Sequence, residues 1–391
     1  MGQDWRTRLI HSDVSVPEGF RSLATPVFRG STTLFSRASD MVDTWNHDDV
    51  PYTYGTYGTP TTLTLARRLT ALDGAHRCFI TPGGQSAIAV VYLSYTASGA
   101  HVLVPDSIYG PSRAFANRVL SRHGVEVEYY RPLIGASIEK LIKSSTRLVW
   151  CESPGSLTME VQDVPAIVKA AHRKGVTVAL DNTWAAGVLF DAFHHGVDVV
   201  VQALTKYVGG HSDLLLGSVS VRDETVYQRV GSTLQDLGMA TSPDDCSLAL
   251  RGLQTLAVRL SVIESSALTI ARWLAAREEI AIVLHPALVS CPGHDAWVRD
   301  FSGSSGVFSV VFRPPINRTR ICAFVDRLKL FRIGYSWGGV TSLVALPDLA
   351  ESPNAGTYGD RLLRFSIGLE SPDDLIADLS AAISTLRNSN A

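Results

Sequence analysis

Ala179-Leu-Asp181-Asn-Thr-Trp-Ala-Ala-Gly-Val-Leu-Phe190, continued by Asp198-Val-Val-Val-Gln-Ala-Leu-Thr205-Lys206-Tyr-Val-Gly-Gly210, holds two apolar runs that each lead to a charge. The first, begun at Val176, stops on a carboxylate; the second, Val199 to Val201, stops a few residues before a lysine followed by two glycines. Runs this short and continuous predict strands buried on both faces, as in a parallel sheet. Each then delivers a charged side chain to the C-terminal edge of the sheet, where α/β folds bind ligands.

One carboxylate and one lysine meeting at that edge suit pyridoxal 5'-phosphate. The lysine amine bonds the aldehyde covalently, and burial lowers its pKa until it serves as a base. The carboxylate keeps the ring nitrogen protonated, so that the ring accepts electrons from a carbanion. Either residue alone has a plainer reading, Lys206 as a solvated edge residue and Asp181 as a helix cap or ion-pair partner. Their conjunction is strengthened by Thr205, whose hydroxyl suits a phosphate, and by Gly209 and Gly210, which permit a tight turn.

At 391 residues the chain accommodates a large unit and a smaller one, each with its own core. A net charge of −2 without basic runs speaks against a nucleic-acid partner. The five cysteines are odd in number and lack a Cys-x-x-Cys pair, which predicts reduced thiols in a cytoplasmic setting. Met-Gly-Gln-Asp-Trp-Arg at the start does not read as a signal peptide, and no apolar run suggests a membrane span.

Residues 1–55, polar and aperiodic, read as an arm packing on a neighbouring subunit; 56–250 read as the ligand-binding unit, and 251–391 as a C-terminal unit with a connecting helix. The loop Tyr52-Thr-Tyr54-Gly-Thr-Tyr57-Gly-Thr59 either lies on the surface before a helix over 62–72 or offers hydroxyls to a phosphate. Cys78-Phe-Ile-Thr-Pro82-Gly-Gly84-Gln85-Ser86 predicts strand, glycine turn and helix start, where backbone N–H groups attract an anion. A plain turn capped by Ser86 fits equally, and the absence of Gly-x-Gly-x-x-Gly counts against a nicotinamide cofactor. His101 to Pro105 predicts a strand leading to Tyr109, which either stacks on a planar cofactor or fills the core. Strands over 125–129 and 148–151 and a helix over 164–174 continue a βαβ rhythm and a mostly parallel sheet.

From Arg251, apolar residues at 253, 256, 260, 263, 267, 270 and 274 form one stripe of a long helix. Strands over 307–312 and 362–367, with helices over 319–328 and 373–386, predict an α+β layer after it. His285, Cys291 and His294 match no zinc spacing and read as loop residues, so no metal is expected. Tyr335-Ser336-Trp337-Gly-Gly339 sets an aromatic side chain before a flexible turn. Arg364 interrupts an apolar strand, which requires a carboxylate, either one of the chain's own or that of an amino-acid ligand.

These segments resemble the Cys/Met-metabolism family of pyridoxal-phosphate enzymes from about Tyr54 to the end of the chain. The most specific are Glu152-Ser-Pro-Gly-Ser-Leu-Thr-Met-Glu-Val161, Asp181-Asn-Thr-Trp-Ala-Ala-Gly187, Gln202-Ala-Leu-Thr-Lys206-Tyr207 with Gly210-His-Ser-Asp213, Tyr335-Ser-Trp-Gly-Gly339, and Arg364 with Ile367-Gly-Leu-Glu370. Ser-Trp-Gly-Gly resembles the bacterial cystathionine β-lyases within it, since γ-acting relatives usually carry Leu at the Trp position. The resemblance implies a fold-type I subunit with Lys206 as the lysine bonded to the cofactor and the proton carrier, Asp181 on the ring nitrogen and Tyr109 over the ring. It assigns the phosphate to Gly84, Gln85 and Thr205, the substrate carboxylate to Arg364 and Ser336, and the pocket shape to Trp337. Tyr54 is implied to enter the adjacent subunit's site, making the protein a homo-oligomer, a dimer of dimers. The implied activity is β-elimination at a C–S bond of an amino-acid thioether. A lyase for other cysteine conjugates, a γ-lyase, a γ-synthase, an amino-acid racemase of the same family, and a non-catalytic phosphate-binding module remain alternatives.

Three positions depart from the family pattern. Thr56 stands where the family's loop carries an Arg for the cofactor phosphate, exchanging a charge-assisted contact for a neutral one at a cost of about 1 kcal/mol. Ala203 replaces a Ser, and Thr341 a Glu, so looser cofactor retention or a different substrate is expected.

Overall fold

Side chains along a strand alternate between the two faces of its sheet, and in the sequence's central runs both faces are apolar. In a computed structural model that describes residues 4–10, 22–46, 52–349 and 355–387, this places two core layers on one sheet. Leu148, Trp150, Ala179, Val199 and Val201 face one layer; Val149, Cys151, Val178, Leu180 and Val200 face the other. Strands β1 (Arg77–Thr81), β2 (His101–Pro105), β3 (Glu126–Tyr130), β4 (Thr146–Glu152), β5 (Thr177–Asp181), β6 (Val199–Gln202) and β7 (Gly217–Val221) form the seven-stranded sheet. Their order is β1-β7-β6-β5-β4-β2-β3. Only β7 runs against the rest, pairing antiparallel with β1 and β6. The mostly parallel α/β class is therefore as the sequence predicts.

A second, five-stranded sheet has the order β10-β11-β12-β9-β8. Its strands are β8 (Ile280–Leu284), β9 (Val307–Phe312), β10 (Arg332–Ile333), β11 (Leu343–Ala345) and β12 (Leu362–Ser366). Helices Arg318–Val325 and Pro372–Arg387 contribute Ile321, Phe324, Leu375 and Leu379 to its core.

The connecting helix spans Pro243–Ala275 and begins eight residues before the expected Arg251. Its first two turns, Pro-Asp-Asp-Cys-Ser-Leu-Ala-Leu, lack a clean stripe, so periodicity alone starts the helix late. Capping chemistry marks the true start: the Ser242 hydroxyl accepts the Asp244 N–H at 3.2 Å, Pro243 needs no N–H partner, and two acids occupy the first turn. The stripe is divided between two cores. Leu253, Leu256, Leu260 and Ile263 pack with the large sheet, and Ala267, Ile270 and Leu274 with the small one. By length and composition the helix meets the criteria for a membrane span, which corrects the expectation of no such run. Its apolar stripe is buried inside the protein, as in the core helix of a globular fold.

The described parts of the N-terminal segment make contacts within their own chain. Trp5–Ile10 is a helix whose Leu9 is buried and whose Leu9 carbonyl accepts from Arg68 Nη1 at 3.3 Å. Trp45 packs edge-on against the stacked rings of Phe79 and Tyr227, at ring-centroid distances of 5.8 and 5.1 Å. Gly231 makes room for it, since a Cβ there would lie 2.2 Å from the indole. Met1–Gln3 and Pro17 lie outside the described residues.

Asp73 ends the helix Pro60–Asp73 inside the core, accepting from Gln202 Nε2 at 2.9 Å and Ser220 Oγ at 2.5 Å. Burial, against these neutral donors, lifts its pKa from 3.8 to about 7. The folded protein therefore binds more protons than the unfolded chain between those values, and this group's contribution to stability falls as pH rises through the window, by about 1.4 kcal/mol per unit. In Asp73→Asn the melting temperature relative to the parent protein should climb between pH 5 and pH 8; a difference flat with pH would show that the carboxyl is already ionised at pH 5.

Candidate active site

Strand β5 ends on Asp181, and β6 runs into the turn that carries Lys206. Gly209 N–H donates to Leu204 O and Gly210 N–H to Lys206 O, both at 2.7 Å, and Gly210 adopts φ +75°, as the two glycines predict. The turn rests on Arg259, whose Nη1 donates to Tyr207 O at 2.8 Å and Nη2 to Gly252 O at 2.7 Å. A cavity of about 270 Å³ opens above it, lined by Lys206 and Asp181 together with Gly84, Gln85, Tyr109, Glu152, Thr205 and Trp337.

Lys206 Nζ donates to Ser336 Oγ at 2.5 Å and lies 5.4 Å from the Trp337 ring centroid. Burial, then the charge of Arg364, pull its pKa from 10.5 to about 8 against the attraction of Asp181. Asp181 is pushed up by burial and held back by Thr183, whose N–H and Oγ1 donate to one carboxylate oxygen at 3.0 and 2.5 Å. The same Thr183 hydroxyl accepts the Ala203 N–H at 2.9 Å, tying the Asp181 strand end to the lysine turn.

At the other end of the cavity the helix Gly84–Tyr95 points its N-terminus inward. Its cap is Gly83 rather than Ser86, so no side chain satisfies the first N–H groups, and the first helical bond is Ala87 N–H to Gly83 O. A Cβ at Gly84 would lie 2.6 Å from that of Ala203, so only glycine lets the helix end approach the lysine turn this closely. Thr205 lines the same end, but its hydroxyl donates to Leu216 O and accepts the Leu216 N–H, both at 3.1 Å, and must turn to donate to an anion. The Gln85 side chain reaches Pro111 O at 3.4 Å, which leaves its backbone to the cavity.

Tyr109 is 40% exposed and lines the cavity, which removes the core-filling alternative. Arg364 is 9% exposed on β12, between Ser309 and Ala345 of the neighbouring strands. The alternative of an internal ion pair is not met among the described residues. Its Nη2 reaches only the carbonyl of Ser336, at 3.4 Å, and burial lowers its pKa while only Tyr109 and Tyr335 act to raise it. Ser336, with φ +80°, thus touches both Lys206, which lines the cavity, and Arg364, which does not. Tyr54 does not reach this cavity; it is 48% exposed and bridges Thr32 ahead of a short turn containing Thr56.

The sequence reading missed the clamp on the Ser336–Gly339 turn: Ser342 N–H and Oγ donate to the two Glu370 oxygens at 2.7 Å, and Gly338 N–H reaches Ser366 Oγ at 3.4 Å. His285, Cys291 and His294 do not converge as a metal set. Cys291 Sγ donates to Met159 O at 3.2 Å, and His294 Nδ1 to Pro286 O at 2.8 Å. His101, Glu126 and Glu128 do cluster, but Lys143 Nζ already bridges the two acids at 2.8 and 2.6 Å.

The sequence profile of Cys/Met metabolism PLP-dependent enzymes matches residues 6–384. The chain belongs to that family. It is 46% identical to a candidate cystathionine β-lyase of Rhizobium johnstonii over 95% of this chain and 94% of the relative. Identity to the cystathionine β-lyase MetC of Escherichia coli is 38%, over 97% and 98%. The crystal structure of cystathionine γ-synthase from Xanthomonas oryzae pv. oryzae in complex with cystathionine superposes with a TM-score of 0.91 at 30% identity, covering 98% of each chain. Cys/Met-metabolism enzymes depend on pyridoxal phosphate, and the residues here fit that group. A half-buried lysine of lowered pKa shares the cavity with a half-buried carboxylate, and an uncapped helix end meets a glycine cradle where an anion would sit.

Proposed function

We propose that this PLP-dependent enzyme performs β-elimination on L-cystathionine, taking up water and releasing homocysteine, pyruvate and ammonia. The observation that carries the reading is the buried Arg364, without an acid partner among the described residues and joined through Ser336 to Lys206, which lines a cavity together with Asp181. Bound there, pyridoxal phosphate supplies an aldehyde for the substrate amine and an electron sink for the Cα electron pair.

Lys206 would hold the cofactor covalently, and its Nζ, with a pKa near 8, would take the Cα proton and could return a proton to the departing sulfur. Asp181, held by Thr183, keeps the ring nitrogen protonated. Gly84, Gln85 and Thr205 hold the phosphate, and Tyr109 covers the ring. Arg364 and Ser336 orient the substrate carboxylate, and Trp337 closes the wall beside the leaving group. Tyr54 serves the neighbouring subunit's site in a dimer of dimers, with residues 1–55 as the arm, 56–250 holding the cofactor and 251–391 as the C-terminal unit with its connecting helix. We place the enzyme in the cytoplasm, without nucleic-acid or membrane partners.

Incubating the purified, cofactor-loaded protein with L-cystathionine should yield pyruvate and homocysteine in equal amounts. Formation of 2-oxobutanoate with cysteine, or of D-amino acid from L-amino acid alone, would replace this reading. A lyase for less polar cysteine conjugates is the second reading, favoured by the apolar wall of Met159, Trp184, Leu215, Val307 and Trp337 and by Thr56. A kcat/KM for an S-alkyl cysteine above that for cystathionine would select it.

A further inference from the structure

We infer that Glu152 is a positioning residue working as a neutral acid: its carboxyl fixes the backbone of Tyr109 at the cavity while leaving Asp181 to carry the negative charge there. The inference rests on the cofactor seat proposed above. Glu152 ends β4 as Asp181 ends β5, and the two are paired in the parallel register. Register partners on neighbouring parallel strands project to the same face at about the 4.8 Å strand spacing, so two carboxyls emerge side by side into one cavity.

Their surroundings separate their roles. Asp181 receives two donors from Thr183 and the attraction of Lys206. Glu152, 7% exposed, receives one neutral donor, the Tyr109 N–H at 2.8 Å on Oε2, and among the described residues no lysine or arginine pairs with it. Two adjacent buried carboxyls cannot both ionise cheaply, and the single charge settles on the better-served one. Burial and the neighbouring Asp181 charge indeed push the Glu152 carboxyl well above the usual range.

Glu152 is itself held in place. Its N–H donates to Gln162 Oε1 at 3.1 Å, Gln162 Nε2 donates to Tyr130 OH at 3.2 Å, and Tyr130 OH donates to Trp150 O at 2.6 Å. That chain runs from the middle of β4 to the residue at which Tyr109 turns into the helix Gly110–Phe115. The ring of Tyr109 faces the cavity because its backbone is tied to β4, and Glu152 is the tie. A protonated Glu keeps that acceptor and presents no second anion to a ring nitrogen that needs only one.

Glu152→Gln retains an acceptor of the same shape without ionising, and Glu152→Ala removes it. Apoprotein of the parent and both variants is titrated with pyridoxal phosphate for Kd, and the loaded enzymes are assayed for kcat and KM against pH. Glu152→Ala is expected to weaken cofactor binding and lower kcat by about tenfold each, the loss of one buried hydrogen bond. Glu152→Gln is expected to restore both to within about threefold, with an unaltered pH profile. Equal impairment of the two variants, or loss of the acid limb of the profile in Glu152→Gln, would overturn the neutral-acid role; wild-type behaviour of Glu152→Ala would overturn the positioning role. If Glu152→Ala does not fold, Glu152→Gln decides alone, on the same threefold limit. Failure of the parent protein itself to bind the cofactor would count against the cofactor seat, a result distinct from any difference among the variants.

Discussion

Lys206→Ala will release pyruvate from L-cystathionine at a rate lower by about 10⁴-fold or more, the upper range for removing a positioned acid–base group. Among the described residues that line the cavity, Lys206 is the only amine. In the proposed mechanism its loss removes the covalent anchor of the cofactor together with the base for Cα, and Asp181 and Glu152 are both occupied in holding donors. The folded state should nevertheless persist, because an ammonium with a pKa lowered to about 8 is a burden on stability. The unfolded chain binds more protons than the folded one between pH 8 and 10.5, so this group's contribution to stability rises with pH across that window. Lys206→Met, which fills the same space without charge, should raise the melting temperature of the apoprotein at pH 7 and lose that advantage by pH 10. Near-normal pyruvate release by Lys206→Ala would remove this lysine from the chemistry altogether.

The lysine and its carboxylate were legible because each follows a buried apolar run, Asp181 directly and Lys206 in the turn after it, and a charge so placed falls at the sheet edge. Glu152 ends an apolar run too, Leu148 to Cys151, and carried the same signal; its pairing with Asp181 needed the register of β4 against β5, and its bond from Tyr109 a contact between distant segments, neither of which one sequence states. Strand β7 escaped notice because Gly-Ser-Val-Ser-Val buries its serines as well as its valines, so polarity did not mark it as a buried strand. The start of the long helix was recoverable from Ser242-Pro-Asp-Asp, a capping pattern that the hydrophobic stripe concealed. The Glu370 clamp on Ser342 joins residues on different segments and left no local trace. Tyr54 marks a different boundary: it does not line the cavity of its own chain, and the role proposed for it needs a neighbouring subunit.

Replacing Arg364 with Met will separate function from stability in a way that no structural ion pair would. Breaking a buried pair by removing one partner commonly costs 3–5 kcal/mol, because the other charge is left uncompensated. Arg364 has no such partner among the described residues: it sits 9% exposed on β12 with one long contact to the Ser336 carbonyl. The uncompensated charge is the arginine itself, and burial already lowers its pKa. A methionine of similar length keeps the packing between Ser309 and Ala345 while removing that desolvation burden, so the apoprotein's melting temperature should hold or rise. With Arg364 as the proposed receptor, the substrate carboxylate meanwhile loses charge-assisted bonds of about 1.5–3 kcal/mol, lowering kcat/KM by roughly 10- to 150-fold, mostly through KM. Arg364→Lys restores the charge without the fork and should fall between the two. A melting temperature several degrees lower with an unchanged KM would instead place Arg364 in the fold's own scaffolding, and the α-carboxylate would need another receptor.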